Sequence, residues 1–224
     1  MISKEHDMSI LIADLSGYTA LTEIHGAMSA AKLVTKYLAL VDMSLHGTAR
    51  LLERVGDQVV VVADNADDLA STAINLLSNA GNEPSFLPIH AGIHFGKIVE
   101  QEGSFFGSAM NLTARITAIA TDGSLLCSAA FVDELKVKDQ FHLQRRGEFK
   151  FENISKPVEI FELLAEQFHQ HLAVDPVCYM QIERHGNELS FSDRGHTYYF
   201  CSVECVNSFK ESLKSVIPTT TSSL

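Results

Sequence analysis

An apolar strand that ends in a single carboxylate constrains this chain more than any other stretch. Residues 10–13 are apolar, and Asp14 follows them directly, at the entry to a turn that contains Gly17. A carboxylate at a strand end, beside the free amides of a glycine turn, suits a metal ion and a phosphate group. Residues 10–22 therefore predict a strand and a turn that can bind a metal ion, a phosphate, or both.

The composition limits the class of protein. The chain has 224 residues, 46% of them apolar, which allows one medium domain with a core and a small appended unit. A net charge of -11 without a cluster of Lys and Arg argues against nucleic acid and membrane surfaces as partners. The apolar N-terminal run is short and interrupted by Asp14, so we expect neither a signal peptide nor a membrane span, and a cytoplasmic location.

Helices and strands alternate through about residue 165, the predicted end of the first domain. Helical spacing of apolar residues predicts a helix over 26–45, and turn chemistry at Gly56 predicts a hairpin over 48–63. Asn65 is the predicted N-cap of a helix that runs to about residue 79. The remaining predicted elements are a strand over 88–99, a helix over 108–120, a strand over 124–129 and a closing hairpin over 141–164. This order predicts an α+β fold, a ferredoxin-like sheet backed by helices.

Three further motifs follow the first one in a defined order. They are Glu53-Arg54-Val55-Gly56-Asp57, the segment Ile89-His90-Ala91-Gly92-Ile93-His94-Phe95-Gly96, and the segment Gly107-Ser108-Ala109-Met110-Asn111-Leu112-Thr113-Ala114-Arg115. Together, the four motifs resemble the catalytic domain of class III adenylate/guanylate cyclases over residues 8–164. The resemblance implies the class III nucleotidyl cyclase fold for residues 1–165 and a nucleoside triphosphate as substrate.

Cyclisation requires the 3'-hydroxyl of the nucleotide to attack its own α-phosphorus, a reaction for which two metal ions are suited. The resemblance implies that Asp14, Asp57 and the backbone carbonyl of Leu15 hold two Mg²⁺ or Mn²⁺ ions per active site. It further implies that the turn amides of residues 16–19, which include Gly17, Tyr18 and Thr19, contact the phosphates. Asn111 would orient the ribose, and Arg115 would stabilise the pentavalent phosphorus. Asn111 and Arg115 are spaced i, i+4 and so share a helix face. In the family they face the metal-binding acids of a second subunit, which implies a homodimer.

Two positions bear on the base of the nucleotide, and one bears on turnover. Glu53 and Ser104 stand where adenylate-specific members carry Lys and Asp and guanylate-specific members carry Glu and Cys. A carboxylate accepts hydrogen bonds from guanine N1–H and its amino group, so the chemistry favours GTP, whereas the prevalence of adenylate-forming bacterial relatives favours ATP. Glu152 aligns with a Lys that binds the triphosphate in the family, and an acid there repels phosphate. Lys150 or Lys156 could substitute for that Lys, although a shift of two or four residues is not conservative.

A polar stretch, residues 166–173, is the predicted linker to a second unit over 174–217, followed by a Thr/Ser-rich tail over 218–224 that we expect to be disordered. The second unit resembles the YHS domain, a small treble-clef-like metal-associated module. Its thiols Cys178, Cys201 and Cys205 have the spacing C-x22-C-x3-C and suit Zn²⁺ or Cu(I). His196 or Asp175 could complete a tetrahedral zinc site; without either, three sulfurs suit Cu(I). Tyr179 stands where that family usually has Gly.

Two functions remain open from the sequence. In the first, the chain is a homodimeric nucleotidyl cyclase whose output the metal-binding module regulates. In the second, a cyclase-like dimer binds nucleotide without turnover, and the appended module senses or carries metal. The acid at position 152 favours the second function, whereas the joint presence of Asp14, Asp57, Asn111 and Arg115 favours the first. Cys127 and the histidines His46, His90 and His94 are predicted to be structural.

Overall fold

The computed structural model describes residues 4–101, 104–165 and 172–215. The first unit is built on strands β1 Lys4–Leu15, β2 Arg50–Val55, β3 Gln58–Ala63, β4 Ile89–Gln101, β5 Ser104–Phe106, β6 Leu125–Ser128, β7 Leu143–Phe149 and β8 Val158–Leu163. Its helices are α1 Tyr18–Ser44, α2 Ala66–Gly81, α3 Ser108–Ala118 and the short α4 Ala129–Glu134. The strands form one sheet in the order β2-β3-β1-β4-β6-β8-β7, with β5 paired to β4. The predicted α+β class is confirmed.

Strand β1 is buried on both of its faces. Leu11 and Ala13 belong to the large core formed with α1 and α2, whereas Ile10 and Ile12 pack in a second cluster with Ala109 of α3. A strand that is covered on both faces needs apolar residues at consecutive positions, which explains the unbroken run before Asp14. Asp14 is half-buried and interrupts this run near the end of β1, and the next residue, Leu15, is buried again in the large core.

Helix α1 begins earlier than the predicted start at residue 26. It runs from Tyr18 and is interrupted at Gly26, where φ is 78° and ψ is 164°. The apolar spacing correctly identified the second part, in which Leu33 and Tyr37 are buried. The first part was missed because it is short. It is held by the buried side chain of Leu21 and by Gly17, whose left-handed φ of 79° turns the chain into the helix.

The other predicted elements of the first unit are present, with one correction. Strands β2 and β3 form the expected hairpin, and the Asn65 side chain caps α2 by accepting a hydrogen bond from the Asp67 amide at 3.0 Å. The strand predicted over 124–129 ends at Ser128 because the Ser128 hydroxyl accepts a hydrogen bond from the Phe131 amide, at 3.3 Å, and thereby starts α4. Strands β7 and β8 form the closing hairpin.

The second unit consists of β9 Leu172–Val174, β10 Gln181–Glu183, β11 Leu189–Asp193, β12 His196–Phe200 and α5 Val203–Ser215. Two antiparallel ribbons, β9–β10 and β11–β12, pack with α5, and the Phe209 ring contacts three other aromatic rings. Strand β9 begins inside the predicted linker 166–173, since Leu172 pairs with Glu183. The predicted tail, 218–224, lies outside the described residues.

The second unit packs directly against the first. The buried Gln181 side chain donates hydrogen bonds to the carbonyls of Ala80, at 2.8 Å, and Glu83, at 3.1 Å, at the end of α2. Cys178, Phe200 and Cys205 belong to the same apolar cluster as the core of the first unit. A unit this small cannot bury much apolar surface alone, so the two units share one core. Among the described helices, none is long and apolar enough to span a membrane.

Candidate functional site

The two acids predicted to bind metal lie at the same end of neighbouring strands of the sheet. Asp14 is the residue before the last of β1, and Asp57 lies in the β2–β3 turn. Strands β1 and β3 pair in the register Ala13 to Val59, which brings the strand end next to the turn. Burial and the neighbouring Asp14 carboxylate raise the pKa of Asp57 above its ordinary value. The acid pair is therefore a concentration of negative charge that a divalent cation would relieve.

His90 is a neighbour of the acid pair that the sequence did not reveal. Strand pairing places His90 opposite Asp14, with its Nε2 atom 4.0 Å from the Asp14 carboxylate and its Nδ1 atom 3.0 Å from the Ser16 hydroxyl. The register between β1 and β4 creates this contact, and no local pattern in the sequence encodes that register. His90 therefore lies beside Asp14, and its own hydrogen bond is to Ser16.

Tyr37 is a second residue that the sequence predicted only as core. Its ring is fully buried on α1, and its hydroxyl has no hydrogen-bond partner among the described residues. Burial, followed by the charges of Asp14 and Asp57, holds the pKa of Tyr37 well above its ordinary value. The hydroxyl is therefore a neutral donor close to the acid pair.

The turn after Asp14 is occupied by the second unit. The resemblance implied that the Ser16 amide contacts phosphate. In the structure this amide donates a hydrogen bond to the Pro88 carbonyl at 2.9 Å, so it is not available for phosphate. The Tyr179 ring lies directly over Gly17, where an added Cβ atom would come within 2.4 Å of the Tyr179 Cδ2 atom. Tyr18 and Thr19 open α1, and their amides have no acceptor within the helix. The close approach permitted by Gly17 is made here by an aromatic ring.

Asn111 and Arg115 lie together on α3, as their spacing predicted, and line an open cavity of about 460 Å³. Glu152, the acid at the expected triphosphate-lysine position, lines the same cavity together with Asn153. Neither Asp14 nor Asp57 is among the residues that line it. The Asp14–Asp57 pair of one chain thus lies outside the cavity that contains Asn111 and Arg115.

The two residues expected to read the base are in the sheet of the first unit. Glu53 is exposed on β2, beside a register irregularity between Leu51 and Glu53. Ser104 is the first residue of β5, and its side chain lies outside the described part of the structure. The position of Glu53 leaves its carboxylate accessible to a ligand.

The three predicted thiols of the second unit converge with a histidine of the first. Cys178, Cys201, Cys205 and His25 each offer one donor atom, and the four atoms all lie within 4.8 Å of one another. All three cysteines are free thiols. A hydrogen bond with Cys201 lowers the pKa of Cys178 to about 6, and the same contact raises the pKa of Cys201. Cys178 is therefore the thiol of this cluster that ionises most readily, and Cys201 keeps its proton and donates it in a hydrogen bond to the Cys178 sulfur.

Neither residue expected as a fourth ligand belongs to this cluster. The oxygens of buried Asp175 accept hydrogen bonds from the amides of Val177, at 2.8 Å, and Cys201, at 2.9 Å. Burial alone would raise its pKa, but these amide bonds lower the pKa of Asp175 below its ordinary value. His196 is exposed at the start of β12 and is not among the four clustered donors. His25 lies just before Gly26 on α1, far from the thiols in sequence, and no spacing pattern could have identified it.

Sequence comparison places the first unit in a known family. Residues 1–165 match the profile of the adenylate and guanylate cyclase catalytic domain, which is well over half of the chain. An adenylate cyclase of Streptomyces coelicolor is 30% identical over 129 residues, covering 57% of this chain and 34% of that protein. An uncharacterized protein of Mycobacterium tuberculosis is 31% identical over 152 residues, covering 67% of this chain and 39% of that protein. The chain thus spans about two fifths or less of the length of these relatives.

Solved structures share the fold at low sequence identity. The adenylyl cyclase CyaB from P. aeruginosa has a TM-score of 0.63 and 19% identity, covering 75% of this chain and 99% of that one. The guanylate cyclase domain of RhGC from Catenaria anguillulae, solved in complex with GTP, has a TM-score of 0.61 and 15% identity, covering 73% and 99%. Such likeness shows the fold, and the profile match shows the family. The chain belongs to the adenylate and guanylate cyclase catalytic domain family.

Proposed function

We propose that the chain is a nucleotidyl cyclase that converts GTP or ATP into a 3',5'-cyclic nucleotide and pyrophosphate. In this reaction the 3'-oxygen bonds to the α-phosphorus, the bond from that phosphorus to the bridging oxygen breaks, and the hydroxyl proton is released. The observation that carries the proposal is the adjacency of Asp14 and Asp57 at the edge of the sheet. Two neighbouring carboxylates are hard oxygen ligands of the kind that Mg²⁺ and Mn²⁺ prefer.

The residues at this edge fit the metal ions that the family resemblance implies. Asp14, Asp57 and the Leu15 carbonyl would hold Mg²⁺ or Mn²⁺, two ions per active site. The raised pKa of Asp57 supports this fit, because a cation between the carboxylates would keep both ionised. When bound, the ions lower the pKa of the attacking hydroxyl and neutralise the departing pyrophosphate. His90 would flank Asp14 at this site, with its Nε2 atom 4.0 Å from the carboxylate.

The Asn111 and Arg115 cavity supplies the second half of the proposed site. The Asn111 amide would orient the ribose, and the Arg115 guanidinium would stabilise charge on the phosphate oxygens. The cavity does not include the acid pair, so a complete site needs the acids of one subunit and the cavity of another. A C2 homodimer provides two such sites with one self-complementary interface.

The nucleotide base and the second unit complete the proposal. Exposed Glu53 can accept hydrogen bonds from guanine, which favours GTP, with Ser104 as the second residue that reads the base. The named Streptomyces relative is an adenylate cyclase, which favours ATP. Cys178, Cys201 and Cys205 would bind Zn²⁺ or Cu(I) in a YHS-type module that regulates the site, consistent with their clustering.

One observation favours a second candidate function, a domain that binds nucleotide without turnover. Glu152 lies in the cavity with Asn111 and Arg115, and its carboxylate would repel a triphosphate. The same cavity in a catalytic dimer would hold that triphosphate close to Arg115. The two candidates therefore differ in product formation and agree on nucleotide binding.

The test is a product analysis by mass spectrometry after incubation of the full chain with GTP or ATP and Mn²⁺. We expect a cyclic nucleotide from the wild type, more of it from GTP, and none from Asp57→Ala. Asp64→Ala is the matched control, since Asp64 is an acid at the end of the same hairpin with a side chain that is 71% exposed. Nucleotide binding without any product would favour the second candidate, and equal turnover in the wild type and Asp57→Ala would end the cyclase proposal.

Mixing two inactive variants tests the homodimer. Asp57→Ala and Arg115→Ala should each be inactive alone, whereas a mixed dimer keeps one intact site. Random exchange makes half of the dimers mixed, so about a quarter of wild-type activity should return. Failure of the mixture to recover activity, with subunit exchange verified, would show that both halves act within one chain.

A further inference from the structure

We propose that His25 of the first unit joins Cys178, Cys201 and Cys205 of the second in one tetrahedral Zn²⁺ site that fastens the two units together. The inference rests on the metal-binding role proposed above for the three thiols, and it adds the fourth ligand and the kind of ion. It does not depend on cyclase turnover. The four donors come from four places in the fold: the first segment of α1, the turn before β10, the end of β12 and the start of α5.

Four of the six distances between the donor atoms are close to the edges of a zinc tetrahedron, and all six are below 4.8 Å. With Zn–S bonds of about 2.3 Å and Zn–N bonds of about 2.05 Å, a regular tetrahedron has S···S edges of about 3.8 Å and S···N edges of about 3.5 Å. The observed sulfur separations are 3.4 Å for Cys178 to Cys201 and 3.7 Å for Cys201 to Cys205. The His25 Nε2 atom lies 3.4 Å from the Cys201 sulfur and 3.7 Å from the Cys205 sulfur. A disulfide would need about 2.05 Å, so the thiols are arranged around a shared centre.

The chemistry of the donor set selects the ion. Three thiolates alone suit Cu(I), but an imidazole nitrogen in the fourth place gives the Cys₃His set of structural zinc sites. The histidine is therefore the residue that separates the two metals left open by the thiols. Zn²⁺ has no geometric preference of its own and accepts the tetrahedron that the chain offers.

Asp175 supports the ligands without binding the ion. Its carboxylate accepts hydrogen bonds from the amides of Cys201, at 2.9 Å, and Cys178, at 3.4 Å, and is fully buried. These bonds fix the two chain segments that carry the first two thiols in a common position. An outer-shell carboxylate that orients ligand segments is a usual companion of a metal site.

The position of His25 gives the ion a mechanical role. His25 ends the short helical segment that begins at Tyr18, and the chain breaks from helical geometry at the next residue, Gly26. The other end of this segment follows Gly17, which touches the Tyr179 ring. The second unit thus holds this segment at both ends, by the Tyr179 ring at one end and by the proposed metal contact at the other. Loss of the ion should loosen residues 18–25, next to Asp14.

The test uses the full chain and two probe ions, Zn²⁺ and Co²⁺, with Co²⁺ reporting the donor set through its visible absorption. The wild type should bind about one ion per chain and give a tetrahedral Co²⁺ spectrum. His25→Ala should weaken Zn²⁺ binding by at least about tenfold and change the spectrum. His25→Cys should retain tight binding with the spectrum of a four-sulfur site. His196→Ala is the matched control and should behave as the wild type.

Hydrogen exchange tests whether the ion holds residues 18–25 of the first unit against the second unit. Chelation of the ion should speed exchange of residues 18–25 in the wild type and have little effect in His25→Ala. Unchanged affinity and an unchanged Co²⁺ spectrum in His25→Ala would overturn the assignment of His25. Tight Cu(I) binding that His25→Ala leaves intact, with weak Zn²⁺ binding, would also overturn it. Full Zn²⁺ binding by Cys201→Ser/Cys205→Ser would instead remove the metal-binding role of the thiols, which is a separate failure.

Discussion

The contact between Gly17 and Tyr179 allows a quantitative test of how the two units are joined. Gly17→Ala places a Cβ atom on a residue with φ of 79°, and that atom would lie 2.4 to 2.7 Å from three atoms of Tyr179. The left-handed backbone costs a non-glycine residue about 1 to 2 kcal/mol. Overpacking against the ring adds about 1 to 3 kcal/mol. The substitution should therefore lower the free energy of unfolding by about 2 to 5 kcal/mol.

Removing the ring separates these two contributions. Tyr179 also has a left-handed φ, of 65°, which glycine adopts freely, so Tyr179→Gly removes the ring without straining the backbone. In that background Gly17→Ala should cost only the backbone part, about 1 to 2 kcal/mol. The coupling between the two substitutions should then be about 1 to 3 kcal/mol.

The assay is urea denaturation of the four proteins at one fixed concentration of Zn²⁺, with hydrogen exchange of residues 18–25 as the local readout. Gly123→Ala is a control for the backbone part, since Gly123 has φ of 76° and no atom within 4 Å of an added Cβ. Additive effects of Gly17→Ala and Tyr179→Gly, within about 0.5 kcal/mol, would refute the contact. The second unit would then not lie over the Gly17 turn in solution.

Two further predictions concern the cavity and the sheet. Glu152→Lys should lower the KM for the nucleoside triphosphate several-fold, since reversing one exposed charge changes binding by on the order of 1 kcal/mol. The control is Glu148→Lys, at an exposed position on β7. Equal KM values for Glu152→Lys and the wild type would show that Glu152 does not belong to the site. Burial lowers the pKa of His94 from its ordinary 6.5 to about 4, and its Nδ1 atom is 2.7 Å from the Ser128 hydroxyl. The neutral ring is favoured in the folded state, so the stability is complete above pH 6.5 and up to about 3 kcal/mol is lost as the pH falls toward 4. His94→Gln should reduce that loss in denaturation measurements at pH 7 and pH 4.5, and an unchanged pH dependence would contradict the buried neutral ring.

The sequence predicted the features that depend on local patterns. Apolar runs and turn residues identified the sheet and most helices of the first unit, and the i, i+4 spacing correctly placed Asn111 and Arg115 on one face. Features that depend on tertiary placement were missed. His90 meets Asp14 through strand register, and His25 meets the thiols through docking of the second unit. The shared core depends on the same docking, because Cys178, Phe200 and Cys205 pack into the core of the first unit.

The placement of His25 beside Gly26 has a consequence for tracing the ancestry of such proteins. The proposed metal site needs a first unit that carries three matching features. They are a glycine at the third residue after the first acid, a histidine eight residues beyond that glycine, and a glycine directly after the histidine, as in Asp14, Gly17, His25 and Gly26. Chains that combine this pattern in the first unit with the three cysteines of the second unit should form one lineage. Loss of the histidine should accompany loss of the second unit.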